Sequence, residues 1–404
     1  MIENIIKIFK TEIKRTLTDP GCTLIMIGGV LLYSLFYSFP FSTHILHDVP
    51  IAVVDQDNSS FSRKLARDFN SNDLLEVVAK VPDIETAKKM YYNNEIKAYV
   101  LIPKDFKKNI TRGGFSYISA YEDSSYLIIY KQVATGIQTV SLTTGATFEI
   151  GKMMKKGIKK DMAYAIKMPF EFVQIPLFNP IGSYQNYIYP MVIILILQQT
   201  LLIGAGLLGG TVREEMLGIY RRTKECFVYK KRSSFNKFSK NPIEIVLGKS
   251  LGYVLIYLFY SIIFFLIFPA LFCYKMNYYN FGLTLILVIP FLFAVSFLAQ
   301  ALVFFYLNRE NSLLMLVVTS LPMIFFPGFV WPKEAMSPLL IAFSSLIPST
   351  NAIEGLIRVN IFGANLYQVK GNLLNILFLC ILYFVLSCIV INKLNENATN
   401  EECE

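Results

Sequence analysis

Residues 188–212 read IYPMVIILILQQTLLIGAGLLGGTV, and the chain then turns at once to Arg213-Glu214-Glu215. A helix needs about 20 mostly apolar residues to cross a bilayer. A run of this length without a charge, ending abruptly in three, is the pattern of a helix that crosses a membrane and emerges. The pattern recurs over 23–41, 250–274, 281–307, 311–326 (taken as a span to 330) and 371–392. Six such runs predict an α-helical polytopic membrane protein.

Composition agrees. Of 404 residues, 54% are hydrophobic and only 17% charged, against about a quarter charged in soluble chains. A purely soluble enzyme is excluded. The net charge of +9 suggests nucleic acid until it is located: residues 211–249 carry 10 Lys and Arg against 4 Asp and Glu. Basic loops beside spans mark the cytoplasmic side, so nucleic acid drops out as a partner. The loop over 213–249 is then expected to be cytoplasmic, as are both termini. Lys7, Lys10, Lys14 and Arg15 before the first span point the same way, and the opposite short loop, 273–280, holds only Lys275. Residues 1–41 lack the short apolar core and small-residue cleavage site of a signal peptide.

Around the spans the pattern changes four times. In 1–22, Ile2, Ile6, Phe9, Ile13 and Leu17 step by three or four opposite Glu3, Lys7, Lys10 and Lys14, which predicts an amphipathic helix in the membrane interface. Residues 42–187 alternate strand-like and helix-like segments, an inserted extracytoplasmic α/β domain. Expected strands are 51–54, 74–81, 98–102 and 117–120. Expected helices are 61–69, 84–92 begun by Asp83, a short one opened by Pro103, and a long one capped by Asp123. Residues 331–370 contain an uncharged stretch broken by Pro338 and Pro348, which predicts short re-entrant helices on the outer side. The tail 393–404 is polar, acidic and expected to be disordered.

Several motifs imitate chemistry. Gly204-Ala205-Gly206-Leu207-Leu208-Gly209 matches a dinucleotide fingerprint but lies inside an apolar run with no strand before it, where small residues serve close helix packing. Gly248-Lys249-Ser250 resembles a phosphate-loop ending, but the required first glycine is Ile243. No ATPase motif remains. Val53-Val54-Asp55-Gln56-Asp57 resembles a phosphatase D-x-D strand end, yet no later acidic pair completes a metal site, so Asp55, Asp57, Asn58 and Ser59 are read as a turn and helix cap. His44, His47 and Asp48 supply too few ligands for a metal. The six cysteines form no C-x-x-C, and none falls in 42–187. The six runs contain no charges, which argues against proton- or sodium-driven transport. Glu354 and Arg358 are spaced as an ordinary helix pair near the outer mouth, with a gate as the functional alternative. No catalytic, cofactor-binding or metal residue is therefore expected in this chain.

The layout resembles the membrane permeases of type-2 ABC exporters, in the branch with a large extracytoplasmic domain after the first span. The resemblance is carried by Glu12, Arg15 and Leu17-Thr18-Asp19-Pro20 at the end of the first helix, and by Pro50 to Ser59 at the start of the inserted domain. It is also carried by Gly210-Thr211-Val212-Arg213-Glu214-Glu215 with Gly218, and by Phe326-Pro327-Gly328-Phe329-Val330-Trp331-Pro332 with Pro348 and Asn351. One departure is Ile219-Tyr220-Arg221-Arg222-Thr223-Lys224, where the family often has Gly-Thr and a hydrophobic run.

The resemblance implies a permease in the bacterial cell membrane, powered by a separate ABC ATP-binding subunit that carries the ATP and Mg. It implies a second permease copy or paralogue as dimer partner, and it allows a periplasmic membrane-fusion adaptor. Glu12, Asp19, Arg213, Glu214, Glu215 and Gly218 would couple to the ATPase. Pro327, Gly328, Trp331, Pro332, Pro348, Glu354 and Arg358 would form the outer gate or re-entrant loop. The implied function is ATP-driven export of a hydrophobic or amphipathic substrate such as a lipid or drug. The alternative is a membrane-anchored receptor or adaptor whose outer domain binds a partner without transport.

Overall fold

Asp19-Pro20 shows how local chemistry places an element. The Asp19 carboxylate accepts from the Cys22 amide, and Pro20 occupies the first helical position, where its missing N–H costs nothing. The computed structural model describes residues 1–39, 46–168, 170, 175, 177–178, 184–216, 239, 241–272, 278–306, 308–328 and 330–400. In chain order the helices and strands are α1 (Ile2–Thr18), α2 (Pro20–Ser38), β1 (Val49–Asp55), α3 (Ser60–Asn70), β2 (Leu75–Val81), α4 (Ile84–Tyr92), β3 (Ala98–Ile102), α5 (Phe106–Thr111), β4 (Ser119–Glu122), α6 (Leu127–Lys155) and α7 (Lys160–Lys167). They continue with α8 (Tyr184–Met216), α9 (Pro242–Leu271), α10 (Phe281–Phe305), α11 (Arg309–Phe325), α12 (Pro338–Ser345), α13 (Pro348–Asn360) and α14 (Leu366–Asn400). The chain divides into two units: Ile45–Ile175, and Met1–His44 with Pro176–Glu404.

The larger unit is an α-helical polytopic membrane protein. Among the described residues, α2, α9, α10 and the apolar stretches Ile188–Arg213 of α8 and Leu366–Glu396 of α14 are long and apolar enough to cross a membrane. The α12–α13 pair, bent by 90°, makes a sixth if it counts as one span. The span expected over 311–330 is different: α11 has 17 residues, about 26 Å of helix against a hydrocarbon core of about 30 Å. Helix α8 is the central post, packed by α2, α10, α11 and α13. Its glycines explain that position. A Cβ on Gly204 would lie 2.1 Å from Met26 Cγ, and one on Gly209 would lie 2.4 Å from Val303 Cγ2. The fingerprint-like glycines are seats for neighbouring helices.

Four further expectations are corrected. Helix α1 is packed on α9, with Ile8, Glu12 and Thr16 buried, while Ile2, Ile6 and Leu17 stay exposed. It is therefore more than an interfacial helix. Gly248 and Gly252, one turn apart, let it approach: a Cβ on Gly248 would lie 2.7 Å from Ile8 Cγ2. The loop over 213–249 shrinks at both ends, because α8 runs to Met216 and α9 starts at Pro242, capped by Asn241. Glu244 and Lys249 thus sit inside a span helix, so the spans are not free of charge. The tail is helical to Asn400.

In the smaller unit, the sheet order is β2-β1-β3-β4, with β1 parallel to β2 and β3 and β4 antiparallel to β3. Alternation along β1 divides the core. Val49, Ile51 and Val53 join Leu65, Phe69, Phe106 and Val133 from α3, α5 and α6. Ala52 and Val54 face the other way, to Ala87 of α4. Both faces are covered, which is why β1 and β3 read as nearly continuous apolar runs. The expected Asp123 cap is a correction: Asp123 accepts from the Ser125 amide, and α6 begins after Tyr126.

Candidate functional site

The membrane unit contains a cleft of about 920 Å³ between α2, α8 and α11. Its walls are apolar, among them Leu32, Val192, Ile203 and Val317, with Tyr33, Gln199, Thr200 and Ser320 as polar points. Such a mostly apolar concavity with a few polar groups is the usual form of a site for a small amphipathic molecule. The polar points are anchored from behind. Tyr257 of α9 donates to Thr200 Oγ1 at 3.0 Å. The Gln198 and Gln199 amides approach Met323 Sδ at 3.4 and 3.0 Å.

A second constellation lies where α1 turns into α2. Arg309 at the head of α11 grips both carboxylate oxygens of Asp19 at 2.6 Å, and its Nη1 also donates to Thr211 Oγ1 at 3.3 Å. That guanidinium holds the Asp19 carboxyl down at about 2. Three elements are tied at one point, two residues before Arg213. The Arg213 Nε is buried with no hydrogen-bond partner among the described residues. The Glu214 and Glu215 side chains and Gly218 lie outside the described residues, as does His44.

Glu12 is turned into the protein, only 3% exposed, and accepts from the Tyr253 hydroxyl. Lys249, one turn before Tyr253, is buried in the fields of Glu12 and Arg15. Tyr253, Lys249 and Arg309 were absent from the expected site. One sequence signal was available: Asn241-Pro242 is a helix start, and it places Lys249 two turns into a helix instead of in a loop.

The broken segment near the chain's end forms a third constellation. Gly328 adopts φ +89°, and a Cβ there would lie 2.7 Å from Lys333 Cγ. That turn follows Pro327, and Trp331 beyond it is exposed, its Nε1 3.4 Å from the Ala335 carbonyl. Pro332 precedes a short turn over Lys333–Ala335, and Pro348 opens α13. The Glu354 carboxylate pairs with Arg358 at 2.7 Å as spaced, and also with Lys333 at 2.9 Å. The second bond fastens the loop to α13. The tip is tied to the central post as well, since the Ser349 amide donates to Gln198 Oε1 at 2.9 Å.

In the smaller unit the D-x-D residues form a turn and support a cap. Asp55 Oδ1 accepts from the amides of Asp57 and Asn58, and its Oδ2 accepts from the Ser62 hydroxyl at 2.7 Å. Ser59 caps α3 reciprocally with Ser62.

Compared with known proteins, residues 22–389 match a family model described as ABC-2 family transporter protein. No curated protein matches the chain.

Proposed function

The chain belongs to the ABC-2 transporter family and is a membrane permease subunit of an ABC transporter, and from that premise we propose that it exports a hydrophobic or amphipathic substrate. The supporting observation is the apolar cleft between α2, α8 and α11, which is large enough for an acyl chain or a drug-sized molecule. A separate ATP-binding subunit, carrying ATP and Mg, would close beneath Arg213–Gly218 and α1. Such closure drives transport only if it contacts two states of the permease differently. Asp19, Arg309 and Thr211 give it a path, since a push on the end of α8 reaches α2 and α11 through one guanidinium. Glu12 would act through the packing of α1 on α9 and not by direct contact.

One copy would form half of the pathway, with a second copy or paralogue covering the apolar face that includes Leu314, Val318 and Leu321. The termini would be cytoplasmic and the α/β unit extracytoplasmic, free to receive substrate or an adaptor. Lys333–Glu354–Arg358 would latch the outer gate.

The test is reconstitution with the cognate ATPase. Glu214→Lys is expected to abolish substrate-stimulated ATP hydrolysis while the complex still co-purifies. Unchanged stimulation sinks the coupling assignment. Absence of any stoichiometric ATPase in mild detergent favours the receptor.

A further inference from the structure

The D-x-D turn forms one wall of a cleft in the α/β unit that the transport reading does not use. The opposite wall is α5, entered through Asp105 at φ +57° and fixed to the core by buried Phe106. The cleft is open to solvent and has a volume of about 370 Å³. Asp57, Asp105, Lys107, Lys108 and Arg112 line it, with the hydroxyl side chains of Ser59 and Thr111 between them.

The state of each charge decides what it can take. Asp57 Oδ2 accepts from the Lys107 amide at 3.2 Å, so it serves as a strut between the two walls. Asp105 is paired with Lys108 at 3.2 Å. Asp55, behind the wall, already accepts three hydrogen bonds. Among the described residues the Lys107 ammonium donates to a neutral partner, Ser60 Oγ, at 2.7 Å. Arg112 has no ion pair among the described residues, and Lys104 adds a further cation beside the cleft in sequence. A divalent cation would meet Lys107, Lys108 and Arg112, with Asp105 already paired to Lys108 and Asp57 accepting the Lys107 amide. An anion would meet three cations, Lys107, Lys108 and Arg112, against two carboxylates, Asp57 and Asp105, and the planar fork of arginine matches a phosphate.

We propose that this cleft binds a phosphate-bearing anion. The residues that resemble a phosphatase motif are the scaffold of the site, and the basic face of α5 supplies its recognition. The ligand is either a soluble phosphate or the headgroup of an anionic lipid, and both present the same group to Lys107 and Arg112.

The experiment titrates the full chain, purified in neutral detergent at low salt, with inorganic phosphate by ³¹P NMR and separately with dioctanoyl-phosphatidylglycerol. Saturable binding of phosphate identifies a soluble ligand, and binding of the short-chain lipid alone identifies a headgroup. In either case Arg112→Glu is expected to weaken binding about tenfold or more, with Lys107→Gln losing less. Lys89→Glu, on α4 across the sheet, should leave binding unchanged. Asp57→Asn keeps an acceptor for the Lys107 amide and removes a negative charge, so it should bind as tightly or tighter. No saturable binding of either probe, or equal binding by Arg112→Glu, overturns the proposal. Magnesium-dependent binding lost in Asp57→Asn but kept in Arg112→Glu overturns it in favour of a cation site.

Discussion

The helix caps of the α/β unit and the buried polar groups of the membrane unit find their partners in different ways. In the α/β unit the caps are local: Ser59 caps α3 from one residue away, and Asp83 caps α4 by accepting from the Thr86 amide at 2.8 Å. In the membrane unit they are distant. Ser296 donates to Ser250 from 46 residues along the chain, Tyr257 reaches Thr200 across 57, and Arg309 reaches Asp19 across 290. The solvent explains the inversion. Water accepts whatever a surface helix leaves open, whereas lipid accepts nothing, so a polar group in a span is satisfied by a partner inside the protein. A capping residue in the first unit therefore reports on its own turn of chain, and a buried polar residue such as Tyr257 in the second on which helices meet.

The sharpest way to break that contrast is to remove a buried partner in the membrane unit. Glu12→Ala takes away the acceptor of the Tyr253 hydroxyl and the negative charge facing Lys249. Loss of one member of a buried ionic group costs about 3–5 kcal/mol. Thermal unfolding of the detergent-purified chain should show it, with Glu12→Gln retaining part of the stability because it still accepts. A loss below about 1 kcal/mol would mean that Lys249 reaches water, and that the seam between α1 and α9 behaves as surface.

Legibility follows the same divide. Residues 98–102 and the helix begun by Asp83 are found where their sequence patterns place them, because a short apolar run and a cap are properties of neighbouring residues. The family was legible for a related reason, since the order of apolar runs is a property of the whole chain. Arg309 as the partner of Asp19 was not legible, because nothing in either neighbourhood points across 290 residues. The span over 311–330 failed on geometry: the helix ends at Phe325, two residues before Pro327, although composition alone would extend it. Lys249 was misplaced by reading charge as loop, although Asn241-Pro242 already marked a helix start.

A smaller effect sharpens the packing side of the contrast. Spans gain nothing from excluding water between helices, so close approach at small residues carries more of the association. Gly204→Ala would force its Cβ to within 2.1 Å of Met26 Cγ and separate α2 from α8. Overpacking of this kind costs about 1–3 kcal/mol. Met26→Ala in the same chain should restore part of it, and a double-mutant cycle measures the coupling. Additive losses would show that α2 and α8 adjust independently, and that the glycine is not a seat.

The smallest effect is expected in the α/β unit, where the bond removed is local. Ser59 accepts from the amides of Phe61 and Ser62 at 3.2 and 3.0 Å. Ser59→Ala frees both donors, and loss of a serine cap costs about 1 kcal/mol. That corresponds to amide exchange about fivefold faster, confined to residues 60–70, while Ser59→Asp should keep the native rate because its carboxylate caps equally well. Faster exchange that spreads into α8 or α10 would contradict the contrast at its root, since a lost cap at the surface of one unit would then loosen helices whose polar groups are held by partners far along the chain.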